Sequence, residues 1–310
     1  MIHIQYKEIH SAVSYTGWVD MIEKSFKLEP GKDYIIPLRT HVDFDDNTLL
    51  LMPCITENYF STKLITLFQG NIKKGKEPLQ GLVILNKRET GEALAILDAP
   101  AITAMRTAAV GSFAVRHLSP VDSSNLGIIG LGTQGLHQAL FACSERNIQR
   151  LIIYDRNTNA YSAFTERFIK EYPDIEIIIA KNSHHLCENS EIIITATNSG
   201  VPVLPDDAQL LKDRTIIGIG SYKKNMREFP DTLYKLADKI YVDSMHGLEE
   251  SGDLIYPLRK GFLYESDFLI AGQLMKNKKE TFSTEVFKSV GTALFDLLAS
   301  ILVYETLYMK

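Results

Sequence analysis

The sequence predicts an α/β protein in which a doubly wound parallel sheet follows an α+β domain. Two observations predict it. From about residue 125 onward, short β-branched runs alternate with helical patterns, at 126–129, 151–154, 175–179, 192–195, 215–219 and 240–242. These runs are almost continuously apolar, as strands covered on both faces by helices are. Six of them with helices between are what a doubly wound sheet requires. The first 120 residues read otherwise, with strands at 49–52, 63–68, 82–85 and 93–97 separated by short polar loops. The last two flank the turn-rich segment 86–92, a hairpin connection, so this half is mostly antiparallel. A helix over 101–117 follows, with Asp98 near its start and Pro100 tolerated in its first turn. Ser119-Pro120, followed by Asp122-Ser123-Ser124, marks a boundary between domains at 1–119 and 120–285, and a terminal helix spans about 286–310.

With 33 basic and 38 acidic side chains, the chain carries a net charge of −5. A mildly acidic chain with no basic block has no electrostatic footprint for nucleic acid or an anionic membrane, so neither is expected as a partner. An anionic ligand must instead be held by a few specific cations in a pocket. At 45% hydrophobic and 23% charged, the composition is that of an ordinary globular protein. No apolar run approaches the roughly 18 residues of a membrane span. Even the apolar segment from Ala293 is broken by Asp296. The opening Met1-Ile2-His3-Ile4-Gln5-Tyr6 lacks a charged leader followed by an apolar stretch. Cys54, Cys143 and Cys187 share no metal-ligand spacing and read as free, packing thiols of a reducing compartment. A cytoplasmic protein without a metal is expected.

The strongest motif is Gly130-Leu131-Gly132-Thr133-Gln134-Gly135. It follows a strand, opens a helix over 136–144, and a second strand ends at Asp155, 20 residues beyond Gly135. That context, rather than the glycines alone, marks a Rossmann-type dinucleotide site. One glycine makes the tight turn, one lets the backbone approach the pyrophosphate, and one lets helix and strand pack closely. The pyrophosphate then lies on the helix N-terminus, where free amides and the dipole favour an anion. Asp155 is placed to bond the adenosine ribose hydroxyls, which favours NAD, and otherwise reads as a strand-end turn residue. Its neighbour Arg156 can take a 2′-phosphate, which keeps NADP as the alternative. Thr195-Ala196-Thr197-Asn198-Ser199 follows the fourth strand, and such a segment lines the cofactor crevice or serves as a capping loop.

Three cations stand out in the first domain: Arg39, Lys63 and Arg106. Lys63 begins an apolar strand, and Arg106 sits among Ala104, Met105, Thr107, Ala108 and Ala109. A cation among apolar neighbours needs a partner or a ligand, because burying it unpaired is costly. A guanidinium suits a planar carboxylate through two parallel hydrogen bonds, and an ammonium can bond or protonate its ligand. Patterning leaves structural salt bridges open for each.

These residues lie in a series of motifs. They are Leu97-Asp98 with Ala101-Ile102-Thr103-Ala104-Met105-Arg106-Thr107-Ala108-Ala109, the glycine-rich segment, Gly220-Ser221-Tyr222 with Met226-Arg227-Glu228, Val242-Asp243-Ser244, Glu250-Ser251-Gly252-Asp253 and Phe287-Lys288-Ser289-Val290-Gly291. In this order, over nearly the whole chain, they resemble the ornithine cyclodeaminase/μ-crystallin family. The resemblance implies a homodimer whose first domain, joined by the C-terminal helix, supplies the substrate pocket and the subunit interface. It implies that Arg39, Lys63 and Arg106 contact substrate, with the two arginines on its carboxylate and Lys63 on its carboxylate or nitrogen, assisting proton transfer. For the cofactor it implies Thr107, the glycine motif with Thr133 and Gln134, Asp155, Arg156, Thr195, Ala196, Thr197, Ser221, Ser244, Ser289 and Gly291.

One position departs from the family pattern. Ornithine cyclodeaminases carry an aspartate six residues before the glutamate matching Glu228, and here that residue is Tyr222. A phenol with an ordinary pKa near 10 donates a hydrogen bond well and is a poor base at neutral pH. This favours the family's reductive members and a catalytic donor role for Tyr222; otherwise Tyr222 packs beside the nicotinamide. The expectation is NAD(P)H-dependent reduction of a small cyclic imine carboxylate, such as 1-pyrroline-2-carboxylate or a ketimine. Cyclodeamination of ornithine, amino-acid dehydrogenation, amine/keto-acid condensation and cofactor-dependent ligand binding without turnover are the alternatives.

Overall fold

A computed structural model describes residues 1–37, 39–276 and 283–309. The chain forms two compact units, Met1–Arg106 with Thr292–Lys310, and Thr107–Gly291.

The first unit opens with β1 (Ile2–Ile4), α1 (Tyr6–Ala12) and α2 (Tyr15–Ser25), followed by β2 (Tyr34–Ile35), β3 (Thr40–Phe44), β4 (Asn47–Thr56), β5 (Tyr59–Phe68), β6 (Leu79–Lys87) and β7 (Ala93–Asp98). The sheet order is β1-β7-β6-β5-β4-β2, with β3 also on β4. Pairing is antiparallel except where β1 runs parallel to β7. The expected hairpin joins β6 to β7, closed by the Gly91 amide on the Lys87 carbonyl, with Gly91 at φ 73°. Along β5 the buried positions Ser61, Lys63 and Ile65 alternate with half-buried ones, so one face of this strand points inward. The helix α3 (Ala99–Leu118) then begins, its Ala101 amide donating to Asp98 Oδ1 at 2.7 Å.

The second unit contains β8 (Asn125–Ile129), α4 (Thr133–Glu145), β9 (Arg150–Tyr154), α5 (Ala160–Glu171), β10 (Glu176–Ile179), α6 (Ser183–Glu188) and β11 (Ile192–Thr195). It continues with α7 (Ala208–Leu211), β12 (Thr215–Gly218), α8 (Asp231–Leu236), β13 (Ile240–Val242), α9 (Gly252–Lys260), β14 (Phe268–Ile270) and β15 (Glu285–Lys288). Its eight strands form one sheet in the order β10-β9-β8-β11-β12-β15-β13-β14, and every pair is parallel. The six expected strands are β8 to β13. The order reverses direction between β8 and β11, so their carboxyl ends flank the switch point where open α/β sheets bind ligands. After β15 the helix α10 (Ala293–Tyr308) returns to the first unit and packs on β4, β5, β6 and α2.

Both expected boundaries move. The units divide inside α3, between Arg106 and Thr107, rather than at 119/120. One continuous helix carries the chain from unit to unit, so no linker composition marks the change. β15 pairs with β12 and β13 inside the second sheet, so the returning segment starts at Thr292 rather than about 286. No helix of the described residues is long and apolar enough to cross a membrane.

The turn from β15 into α10 is held by one carboxylate. Asp243, just after β13, accepts from Ser289 Oγ at 2.6 Å, from the Gly291 amide at 2.7 Å and from the Val290 amide at 3.1 Å. Hydrogen bonds to a buried charged group contribute about 1.5–3 kcal/mol each, and they are not additive. Asp243→Ala should therefore cost about 3 kcal/mol in urea unfolding and Asp243→Asn about half of that; an unchanged midpoint for the alanine variant would mean the turn holds itself.

Candidate functional site

In the first unit, three charged side chains from distant parts of the chain meet in the interior. Lys63 comes from the inward face of β5, Arg106 from α3 and Asp296 from the first turn of α10. Lys63 Nζ lies 2.6 Å from Asp296 Oδ2, and Arg106 Nε donates to Asp296 Oδ1 at 3.0 Å. Lys63 and Asp296 are each 1% exposed and Arg106 is 6% exposed. An acidic residue in the first turn of a helix is favoured by the dipole, which helps α10 carry this carboxylate into an apolar surrounding. Burial pulls the Lys63 ammonium down to about 8; Asp296 raises it, and the charges of Arg106 and Arg39 lower it further. Arg39 itself is half-buried on the segment before β3. The three expected substrate cations thus act on one locus. Two buried cations share one carboxylate, and this imbalance favours one further anion.

In the second unit the glycine motif has the expected shape. Gly130 sits at φ 97°, a conformation open to glycine, and a Cβ there would lie 2.6 Å from the Ala196 carbonyl oxygen. A Cβ on Gly135 would lie 1.8 Å from the Gly130 oxygen, so this glycine is what lets α4 pack on β8. A Cβ on Gly132 would meet nothing within 4 Å, and Gly132 caps α4 without a side-chain acceptor. Thr133 and Gln134 form the first turn of α4 behind it.

Buried polar atoms mark the same edge. Gln134 Oε1 and Thr195 Oγ1 are buried without a hydrogen-bond partner. An open helix N-terminus behind a glycine cradle, with orphaned polar atoms beside it, fits a dinucleotide.

Asp155 follows β9, and its carboxylate takes the Leu131 amide at 2.7 Å on Oδ2 and the Asn157 amide at 2.7 Å on Oδ1. It therefore anchors the glycine turn and keeps further lone pairs for hydroxyl donors. Arg156 is exposed beside it.

The remaining expected cofactor residues are tied into the protein. The Thr107 carbonyl accepts from Gln138 Nε2, and Ser221 Oγ donates to the Met226 carbonyl and meets Ser251 Oγ. Ser244 Oγ accepts the His246 amide, and Ser289 and Gly291 are bound by Asp243. Thr197 bonds Glu228 through both its amide and its hydroxyl, at 2.7 and 2.8 Å. Tyr222 is 44% exposed, and such burial as it has pushes its phenol above the ordinary value.

Glu228 is the residue that organises this edge. Its other oxygen takes the Gly220 amide at 2.8 Å and the Ser221 amide at 3.2 Å, so one carboxylate joins the loops after β11 and β12. Both oxygens face only donors, an arrangement that favours the ionised form. Fully buried Lys288 and Asp253 surround it; burial pushes the two carboxyls up and the ammonium down, while attraction to Lys288 opposes this for the carboxyls. Lys288 Nζ donates to the Gly218 and Ser289 carbonyls, and Asp253 Oδ1 takes the Glu228 and Phe229 amides. In the sequence, Glu228, Asp253 and Lys288 stand out only as parts of motifs. Asp296 registered only as the break in an apolar segment, and that break was the signal for it.

Comparisons with known proteins place the whole chain in one family and fold. The family model for the ornithine cyclodeaminase/mu-crystallin family matches residues 2–310. A Delta(1)-pyrroline-2-carboxylate reductase of Bacillus cereus is 34% identical over 283 residues, covering 87% of this chain and 86% of the relative. The solved structure of Thermococcus litoralis Delta(1)-pyrroline-2-carboxylate reductase, in complex with NADH and L-proline, superimposes with a TM-score of 0.89. It is 30% identical and covers 99% of this chain and 97% of that one. An archaeal alanine dehydrogenase dimer with bound NAD has a TM-score of 0.88 at 26% identity, covering 99% and 95%.

Replacing Glu228 with Gln keeps its shape and turns an NH2 group onto backbone amides while leaving Lys288 under-compensated. Removing one partner of a buried charge network costs about 3–5 kcal/mol, and that loss is expected in the urea unfolding of Glu228→Gln. Wild-type stability in this variant would show that the carboxyl is neutral in the folded protein.

Proposed function

Because the chain belongs to the ornithine cyclodeaminase/mu-crystallin family, we propose that it reduces a small cyclic imine carboxylate, of the 1-pyrroline-2-carboxylate or ketimine type, to a cyclic L-amino acid. The observation that carries this reading is the buried group of Lys63, Arg106 and Asp296, with two cations to one anion. The substrate carboxylate supplies the missing negative charge. Arg106 gives Nε to Asp296, and no second protein acceptor for its guanidinium is found among the described residues. Its terminal nitrogens are therefore the fork for that carboxylate, and Arg39 is the second clamp. Lys63, with its ammonium drawn down to about 8, is poised to give a proton near neutral pH.

NADH supplies the hydride when bound, with Gly130, Gly132, Gly135 and the amides of Thr133 and Gln134 as its pyrophosphate cradle. Asp155 favours NAD, and exposed Arg156 is the residue that would favour NADP. Thr195, Ala196 and Thr197 line the nicotinamide end on a floor fixed by Glu228. Tyr222 acts as a neutral donor. The reductase and alanine dehydrogenase relatives support the cofactor, and the dimeric relative supports a homodimer. Its free thiols suit the reducing cytoplasm.

The deciding assay is the absorbance of NADH with 1-pyrroline-2-carboxylate and with its six-membered homologue, run beside pyruvate with ammonia. Oxidation of NADH with accumulation of the cyclic amino acid is expected, with little proline formed from ornithine. Conversion of ornithine to proline and ammonia without net change in NADH would overturn the reading and make Tyr222 irrelevant to reaction class. Turnover confined to pyruvate and ammonia would favour an alanine dehydrogenase instead.

The clamp gives a sharper expectation. Lysine at position 106 keeps the charge and loses the planar fork. Arg106→Lys should lower kcat/KM by about 2–4 kcal/mol of transition-state stabilisation, the scale of leaving a buried charge poorly paired. Kinetics close to wild type would assign Arg106 to structure.

A further inference from the structure

We propose that Asp296 is a positioning residue for proton donation, holding Lys63 in its ammonium form while it fixes the Arg106 guanidinium beside it. This rests on the reading of the site as one that reduces an imine carboxylate. Each element packed around Lys63 brings a different group to it. β4 brings Met52 opposite it and Cys54 on the same strand, and β6 brings Val83 opposite it. Burial pushes the Cys54 thiol up to about 12, so it remains neutral. α3 brings Arg106 and the segment before β3 brings Arg39, both of which disfavour a second positive charge. α10 brings Asp296, at 2.6 Å the acid paired with Lys63. Burial and two guanidiniums thus act against the ammonium, and one carboxylate acts for it.

The division of that carboxylate is specific. Oδ2 faces Lys63, and Oδ1 takes the Nε–H of Arg106. The two cations are kept side by side without collapsing onto the same oxygen. A buried charge pair of this kind is a poor device for stability, because apolar residues of equal volume do as well or better. An acid in the apolar face of α10 is therefore better explained by what it does to Lys63. In the reaction, the Lys63 proton passes to the imine nitrogen, the π electrons of the C=N bond settle on that nitrogen, and the adjoining carbon receives hydride from NADH. Solvent then returns a proton to the lysine amine. Lysine must enter each cycle protonated, and Asp296 is what keeps it so.

The test uses full-length protein with lysine labelled at the ε-carbon. Its titration is followed by NMR, with the Lys63 signal identified by its loss in Lys63→Arg. In the wild type, the Lys63 midpoint should coincide with the alkaline limb of kcat, since activity needs the protonated amine and falls as pH rises through it. In Asp296→Asn, the midpoint should fall by about 1–3 units, the effect of removing an adjacent opposite charge. The alkaline limb should fall with it, and Asp296→Glu should restore both. The midpoint needs no substrate, so it can succeed or fail independently of whether a cyclic imine is reduced. A folded Asp296→Asn protein with an unmoved Lys63 midpoint would overturn the proposal. If that variant does not fold, a wild-type limb lying more than about a unit from the Lys63 midpoint would overturn it equally.

Discussion

A carboxylate shared by an ammonium and a guanidinium in a buried, mostly apolar surrounding places demands on the chain around it. The attraction is strong because the surroundings are apolar, and for the same reason an uncompensated charge there is costly. Asp296 lies 190 residues beyond Arg106, so the contact exists only because the chain returns after Gly291 to the first unit, where α10 packs over β4, β5 and β6. The alternation of β5 turns Lys63 inward, and the continuity of α3 carries Arg106 into the same layer. On the proposed reading, one negative charge between these two cations leaves room for a single further anion, which the substrate carboxylate would supply.

The second unit meets a related constraint in another way. Loops at the carboxyl ends of parallel strands have backbone amides with no ladder partner, and a ligand surface built from them must still be rigid. Glu228 takes four donors from two loops, and the charge this concentrates is balanced by Lys288, which also donates to the carbonyls of Gly218 and Ser289. Asp243 does similar work in the turn after β15. Buried ions here tie loops to strands, and glycines provide the close approaches: Gly130 against Ala196, and Gly135 against Gly130.

Much of this was legible in the sequence where the physics is local. Strands β8, β9, β11, β12 and β13 announced themselves because a strand covered on both faces must be nearly continuously apolar, and the glycine motif because its strand and helix flank it. Lys63 and Arg106 were visible as cations in apolar company. Other elements were hidden for identifiable reasons. β3 reads Thr-His-Val-Asp-Phe and is exposed throughout, and β1 and β14 are three residues long. β15 has Glu285 and Lys288 at its ends, both buried in the sheet, so its charges disguised a core strand. The pairing of Asp296 with Lys63 and Arg106 is a product of tertiary closure, and no local pattern encodes which cations a distant acid will meet.

On the proposed reading, the buried cations of the first unit select a single carboxylate. Calorimetric binding of L-proline and of L-prolinamide, in the presence of NAD, tests it most directly, because the two ligands share a ring and differ in that one negative charge. L-proline is expected to bind at least about 30-fold more tightly, the lower end of the cost of leaving a buried charge unpaired. Equal affinity for the amide would mean instead that Lys63, Arg106 and Asp296 are already balanced without a ligand.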